Sequence, residues 1–259
     1  MISQRHQCPT LSAEDLLKIQ SDEPAFVTRH MEAAHFESGK NGYFRVGTLM
    51  NYRATEKVLA GRLGDHEESR QQDVFNSRTN YFKSIQTASL DISDANFINT
   101  ENHVVIETTV NDFCSCFSIG KFDSDRGQKL KDAEIDPAKK PGAYITYHFP
   151  KLKKALKNRL AKDYPTLSSL ETLGRKVDYG PKDRKWEVEE SFEYTRDSDA
   201  VAIWLGIAFV KSPRFTHEDE YRLLFLDPDN PGALDDAAKT LVIEEDEGIA
   251  AAIIDCGHY

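Results

Sequence analysis

Glu218 and Glu220 stand directly before an apolar strand pattern, Tyr221-Arg222-Leu223-Leu224-Phe225-Leu226. In an extended chain, residues two apart point to the same side. Two carboxylates so placed repel, and one pKa rises, an arrangement useful in a cleft and needless in a core. The chemistry on offer is proton transfer or stabilisation of a developing positive charge. The competing reading is a solvated strand entrance. Two further segments put polar groups where a strand would prefer apolar ones. The first is Thr28-Arg29-His30 within Ala25–Met31, where a guanidinium can meet phosphate oxygens in a bidentate way. The second is Phe113–Ile119, Phe-Cys-Ser-Cys-Phe-Ser-Ile, with Ser115 and Ser118. Alternation puts these serines on opposite strand faces, so at most one can point into a shared site, and Ser115 is slightly preferred. Tyr43, Phe44 and Tyr52 can stack on a flat ring or fill a core. Arg45 and Arg53 can meet phosphates or pair with nearby acids such as Glu56.

Other devices are absent from the sequence. There is no phosphate-binding G-x-x-x-x-G-K-[ST], no G-x-G-x-x-G, no G-x-S-x-G and no H-E-x-x-H. The four cysteines, Cys8, Cys114, Cys116 and Cys256, lack zinc-site spacing, so no metal is expected and they read as buried free thiols. Cys114 and Cys116 share one strand face.

The elements that must hold these groups are mostly strands. Strand patterns cover Ala25–Met31, Tyr43–Met50, Asn80–Thr87, His103–Val110, Phe113–Ile119, Ala143–Phe149 and Glu220–Leu226, with the last two over Leu241–Ile243 and Ile249–Ile254. Asn111-Asp112 reads as a turn that joins two of them in a hairpin. Helices are expected after Ser12-Ala13-Glu14-Asp15, from Pro150 along KLKKALKNRLAK, and through Ala202-Ile203-Trp204. Asn51–Asn80 is polar and without period, a long connection. Strands in sequence with few helices between them indicate α+β with a mixed or antiparallel sheet, and no linker divides residues 1–259 into more than one domain.

The chain has 259 residues and a formal charge of −10, from 43 acidic and 33 basic residues. That balance argues against a protein that coats nucleic acid nonspecifically. Charge is unevenly spread: Leu226–Tyr259 holds nine acids and one base, whereas Lys151–Lys162 holds six bases and no acid. The basic strip lies on the polar side of its helix, and a nucleic-acid backbone is one partner for it; a solvated face is the other reading. No apolar run approaches the ~18 residues of a membrane span. The N-terminus lacks the order of a secretory signal, so a cytoplasmic protein is expected.

Taken in order, Arg29 on the first strand, the Cys-Ser-Cys-Phe-Ser strand and Glu218-Asp219-Glu220 resemble the Arg-Ser-Glu pattern of the ADP-ribosyltransferase superfamily. The related His-Tyr-Glu pattern is met by His30 with Tyr43 or Tyr52. The motifs span Phe26–Phe225 as short pieces, and the middle strand departs from the Ser-Thr-Ser often found there. Gly42–Arg53 and the late KSPRFTHEDEYRLLF also resemble a group of uncharacterised bacterial proteins. The first resemblance implies a split sheet with flanking helices holding NAD+ as substrate in its cleft. It further implies Glu220 as the carboxylate at the ribose, Glu218 on the acceptor nucleophile, and Arg29 or His30 on the cofactor. Ser115 or Ser118 would steady the ribose, and Tyr43 and Tyr52 would stack. Glu220→Gln would then keep the fold and lose turnover. Some bacterial members are toxins of toxin–antitoxin and phage-defence systems that modify nucleic acid, one of them messenger RNA within a toxin–antitoxin–chaperone system. From this, an RNA or other macromolecular acceptor and an antitoxin partner are expected. The alternatives are an NAD+ glycohydrolase on the same scaffold and a non-catalytic nucleic-acid or protein binding module.

Overall fold

A computed structural model of the chain describes residues 2–5, 14, 18–20, 22–52, 70–77, 81–87, 90–96, 103–134, 136–137, 139–165, 169–181, 184–188, 193–195, 200–229, 232, 234 and 240–259. In chain order the strands are β1 (Ile2–Arg5), β2 (Phe26–Met31), β3 (Phe44–Thr48), β4 (Arg70–Ser77), β5 (Tyr81–Thr87) and β6 (Leu90–Asn96). Next come β7 (His103–Thr109), β8 (Phe113–Ile119), β9 (Ala143–His148), β10 (Glu171–Lys176), β11 (Asp178–Tyr179) and β12 (Arg184–Val188). The last are β13 (Glu193–Thr195), β14 (Val210–Lys211), β15 (Glu220–Leu226), β16 (Leu241–Ile243) and β17 (Ile253–His258). The helices are α1 (Phe36–Lys40), α2 (Ser124–Ala133), α3 (Phe149–Asp163), α4 (Ala200–Phe209) and α5 (Glu247–Ala250), with a 3-10 helix over Pro213–Glu218. The protein is α+β.

The principal sheet has eight strands in the order β10-β15-β8-β2-β9-β17, with β3 on β8 and β16 on β3. Its pairings are antiparallel. One edge of β8 is shared by two strands. Its C-terminal end pairs with β2 through Val27↔Ile119 and Thr28↔Ser118, and its N-terminal end pairs with β3 through Gly47↔Cys114 and Thr48↔Phe113. Between those two pairings β2 leaves β8 and the sheet opens. Just beyond the second pairing, Leu49 N–H donates to the Asp112 carbonyl at 3.1 Å and Met50 N–H to Asn111 Oδ1 at 3.0 Å. Smaller sheets, β1-β7-β4-β12, β13-β5-β6 and β11-β14, mix parallel and antiparallel pairs.

All seven residues of β15 are buried, and they alternate between two cores. Tyr221, Leu223 and Phe225 join Val27, Phe44, Phe117 and Tyr147 under α3. Leu224 and Leu226 join Leu49, Cys114, Trp204 and Ile207 of the α4 side. α3 forms as its sequence predicts: Pro150 sits in the first turn, and Leu152, Leu156 and Leu160 bury one stripe. Each leucine contributes about 1.5–3 kcal/mol of burial. The apolar run Ala200–Val210 forms α4 and the first residue of β14, and Trp204, Ile207, Ala208 and Phe209 are buried.

Several expectations need correction. β7 and β8 are not a hairpin: β7 pairs with β1 and β4, while β8 pairs with β15, β2 and β3. The Asn111-Asp112 turn instead carries the chain from one sheet to another, because Asp112 is spent on Trp204 Nε1–H and Gly232 N–H, each donating at 3.0 Å. Part of the expected long connection is strand β4, and β6 adds a strand that was not expected. The final strand starts later than expected, because Asp246 caps α5 by accepting Ile249 N–H at 2.9 Å. Most of the expected helix after Ser12, together with Cys8, Arg53 and Glu56, lies outside the described residues.

Candidate active site at the sheet opening

The opening beside β8 is a cavity of about 340 Å³. It is lined by Thr28, Arg29, His30, Tyr52, Cys116, Phe117, Ser118, Leu130, Lys211, Glu218, Glu220 and Arg222. Its floor is the polar end of the β15–β8 ladder. Register pairs Glu220 with Ser118 and Arg222 with Cys116, so these four share a sheet face. Leu224 and Cys114 continue that face into the α4 core.

Glu220 is 3% exposed. Its Oε1 accepts from Arg222 Nε at 2.6 Å and its Oε2 from Lys211 Nζ at 3.0 Å. Its backbone N–H donates to Tyr179 Oη at 2.8 Å. Burial opposes ionisation, but Arg222 and Lys211 outweigh it and hold the carboxyl well below its ordinary range. Arg222 is in turn fixed from behind, where Nη1 donates to the Ala208 carbonyl at 2.5 Å.

Glu218 behaves in the opposite way. It ends the 3-10 helix, and its Oε2 accepts from Lys211 at 2.7 Å. Burial pushes its pKa up to about 7, helped by the nearby Glu220 charge and resisted by Lys211. The Glu218–Glu220 stretch is not extended in the way its sequence predicts. Instead Asp219 adopts a left-handed conformation with φ 44°, an orientation Asp tolerates better than most residues. The turn sends Asp219 out to Lys176 at 2.9 Å and Arg126 at 3.6 Å. The two glutamates still converge, because Lys211 reaches both.

Arg29 lies where β2 parts from β8. Its guanidinium sits 4.4 Å from the centroid of Phe44, and no carboxylate pairs with it among the described residues. His30 lines the same cavity, but its Nδ1 is engaged with Tyr259 Oη at 2.9 Å. Burial lowers its pKa to about 4, with the Arg126 charge adding to the effect, so the ring is neutral at pH 7. Tyr52 stands on Gly47, where a Cβ would come 3.2 Å from its ring, and its hydroxyl donates to the Cys114 carbonyl at 3.4 Å. Burial raises its pKa well above the usual value, so it stays protonated.

Ser118 lines the cavity opposite Glu220. Ser115 pairs with Leu223, lies on the other face and is 3% exposed without a hydrogen-bond partner for its hydroxyl. Tyr43 lines a second cavity of about 270 Å³, which shares Arg29 and His30 with the first but is not lined by Glu220. The structure thus gathers Arg29, His30, Tyr52, Ser118, Glu218 and Glu220, and leaves Ser115 and Tyr43 elsewhere. Sequence reasoning missed Lys211, Arg222, Cys116 and Tyr179. Arg222 was the most visible of them, a charge in the apolar run Tyr221–Leu226 at the spacing that shares a face with Glu220.

Cys114 and Cys116 do share a face, with their sulfurs 3.7 Å apart. No group of three or more His, Cys, Asp or Glu among the described residues is placed to hold a metal ion. No helix among them is long and apolar enough to cross a membrane. On the basic face of α3, Lys153 pairs with Glu23, Lys157 with Glu171 at 2.9 Å, and Arg159 with Asp163 at 2.5 Å and Asp246 at 3.2 Å. Half of the six bases are therefore neutralised by acids of this chain, which weakens the strip as a nucleic-acid track. No family model, curated protein or solved structure matches the chain.

Proposed function

We propose that the chain is an NAD+-dependent ADP-ribosyltransferase whose cavity takes the nicotinamide–ribose end of NAD+. The observation that carries this reading is one anionic carboxylate, Glu220, and one guanidinium, Arg29, without a carboxylate partner among the described residues, lining a single cavity. A dinucleotide offers the complement of both: a ribose carbon that becomes positive as nicotinamide leaves, and a pyrophosphate. The opening of the sheet beside β2 and the order of the motifs support this reading.

In this mechanism the bond between ribose C1′ and the nicotinamide nitrogen breaks, and nicotinamide departs with the bonding pair. Glu220 stabilises the oxocarbenium character that develops at C1′ and accepts a hydrogen bond from a ribose hydroxyl. Glu218, poised near neutrality, takes the proton of the acceptor nucleophile as that group bonds to C1′. Arg29 holds the pyrophosphate; the neutral His30 lacks the charge for it. Ser118, beside Glu220, steadies the ribose. Nucleic acid, RNA first, is the acceptor class that the resemblance assigns.

The test incubates the purified protein with labelled NAD+ and, separately, total RNA, single-stranded DNA or a cell protein extract. Glu218→Gln runs alongside. Label transferred to one pool, and reduced about 10²–10⁴-fold in the variant, supports the reading and names the acceptor class. Nicotinamide release without transfer in any pool replaces it with NAD+ hydrolysis. A folded protein that neither binds NAD+ nor releases nicotinamide overturns it.

A further inference from the structure

The cation between the two glutamates has no role in the mechanism above, yet its placement is built with care. Lys211 is 7% exposed, 2.7 Å from Glu218 Oε2 and 3.0 Å from Glu220 Oε2. Its ammonium also stands 4.6 Å from the centroid of Phe215. The backbone fixes it there. β14 pairs with β11 so that Lys211 is level with Tyr179, whose hydroxyl accepts the Glu220 N–H. Gly180 N–H donates to the Lys211 carbonyl at 3.0 Å. The short β11–β14 ribbon therefore presents Lys211 to the Glu220 carboxylate and Tyr179 to the Glu220 backbone.

We propose that Lys211 is the positioning residue of this site: its ammonium binds the two carboxylates into one unit and sets how tightly Glu218 holds the exchangeable proton, while Arg222 keeps Glu220 as the anion. The inference rests on the reading of this cavity as the place where the nicotinamide bond breaks. The asymmetry comes from the neighbours. Glu220 has a second cation, Arg222, at 2.6 Å, and Cys116 of β8 hydrogen-bonds to it. For Glu218, Lys211 is the one cation within salt-bridge distance among the described residues. The other titratable groups of the surrounding elements are occupied elsewhere. Asp219 faces Lys176 and Arg126, His217 Nδ1 meets the Arg214 carbonyl at 3.2 Å, and Tyr52 bonds the Cys114 carbonyl. Two buried carboxylates thus share two cations, both on Glu220 and one on Glu218. The proton belongs to the poorer member, and the charge of Lys211 sets how tightly it is held.

Two readouts test this on the full chain. In the first, protein labelled with ¹³C at the Glu carboxyls is titrated by NMR as wild type, Lys211→Met, Lys211→Arg and Glu218→Gln. A carboxyl that titrates near pH 7 in wild type and Lys211→Arg, is missing in Glu218→Gln, and moves up by about one unit or more in Lys211→Met supports the proposal. In the second, the pH profile of nicotinamide release is followed. Its limb near neutrality moves with the NMR titration in Lys211→Met and returns in Lys211→Arg. At pH 7 kcat falls at least about tenfold while KM for NAD+ stays within about twofold. A purely structural lysine would lower kcat without moving the limb, and that result overturns the proposal. Should Lys211→Met not fold, wild type against Glu218→Gln still decides: no Glu218-dependent titration near pH 7 overturns it. The NMR result without any NAD+ turnover upholds the proton assignment and overturns the transferase reading alone.

Discussion

Replacing Glu218 by Gln should make the protein more stable at neutral and higher pH, although it removes an ion pair. Glu218 has its pKa raised by burial from 4.5 to about 7, even with Lys211 at 2.7 Å. The fold therefore favours the protonated carboxyl. Its contribution is whole below the unfolded value of 4.5 and is lost as the pH rises through about 7. The interval is about 2.5 decades of proton activity at about 1.4 kcal/mol each, so ionising this group costs the fold ~3 kcal/mol above pH 7. The side chain is 13% exposed, so solvent relieves little of that. Gln is the neutral isostere and can still accept from Lys211. Urea unfolding followed by the fluorescence of Trp204, a buried residue, measures the difference at several pH values. Wild type and variant should coincide near about pH 4, and by about pH 8 the variant should lead by ~3 kcal/mol, or about 6–12 °C in Tm. A gap of the same size at both pH values, or a variant no more stable at the higher one, refutes the burial argument.

Glu220→Gln should act in the opposite direction and not leave the fold untouched, as the sequence alone suggested. Arg222 loses the anion at 2.6 Å while 1% exposed, a loss of about 3–5 kcal/mol by the same unfolding assay. Because Glu220 has a depressed pKa, that contribution is present above 4.5 and fades as the pH falls through its folded value. The gap should therefore close in strong acid. Asp112→Asn should lose about 1–3 kcal/mol in thermal unfolding, since Trp204 Nε1–H and Gly232 N–H both need an acceptor and an amide supplies one oxygen. Arg29→Met should weaken NAD+ binding about 10–100-fold in calorimetry with little effect on Tm, and Arg29→Lys should not restore it, because an ammonium lacks the planar fork. Unchanged affinity would remove Arg29 from the substrate.

The parts of the site carried by strands were legible in the sequence. β2, β8 and β15 each show an apolar pattern interrupted by a polar group, and alternation alone separated Ser115 from Ser118. The slight preference for Ser115 was misplaced, because which serine meets Glu220 depends on the register Glu220↔Ser118 between strands about a hundred positions apart. Lys211 was invisible for a related reason. A lysine after an apolar run reads as a surface residue, and only the two-residue pairing of β14 with β11 carries it to the glutamates. The Asn111-Asp112 turn had the right residue types for a hairpin. Asp112 is committed to Trp204 and Gly232 and Asn111 to Met50, long-range demands that local turn chemistry does not contain.

The clamp at Thr48↔Phe113, with the Leu49–Asp112 hydrogen bond behind it, makes everything from 49 to 112 one closed excursion of the main sheet. Closing such a loop costs only about 0.6 kcal/mol more for each doubling of its length. The excursion is therefore a graft site. Material beyond Tyr52 and before Val110 can be lengthened, shortened or exchanged at small entropic cost while the register of β3 on β8, and with it the cavity floor, stays where it is. Tyr52 marks the inner limit of such surgery, because it lies on Gly47 and lines the cavity. β1, β12 and β13 would lose their partners β7, β4 and β5 in an exchange. The chain thus divides into a main sheet that carries the cavity and an excursion that leaves it at the Thr48↔Phe113 clamp and is tied back to the rest through β1, β12 and β13.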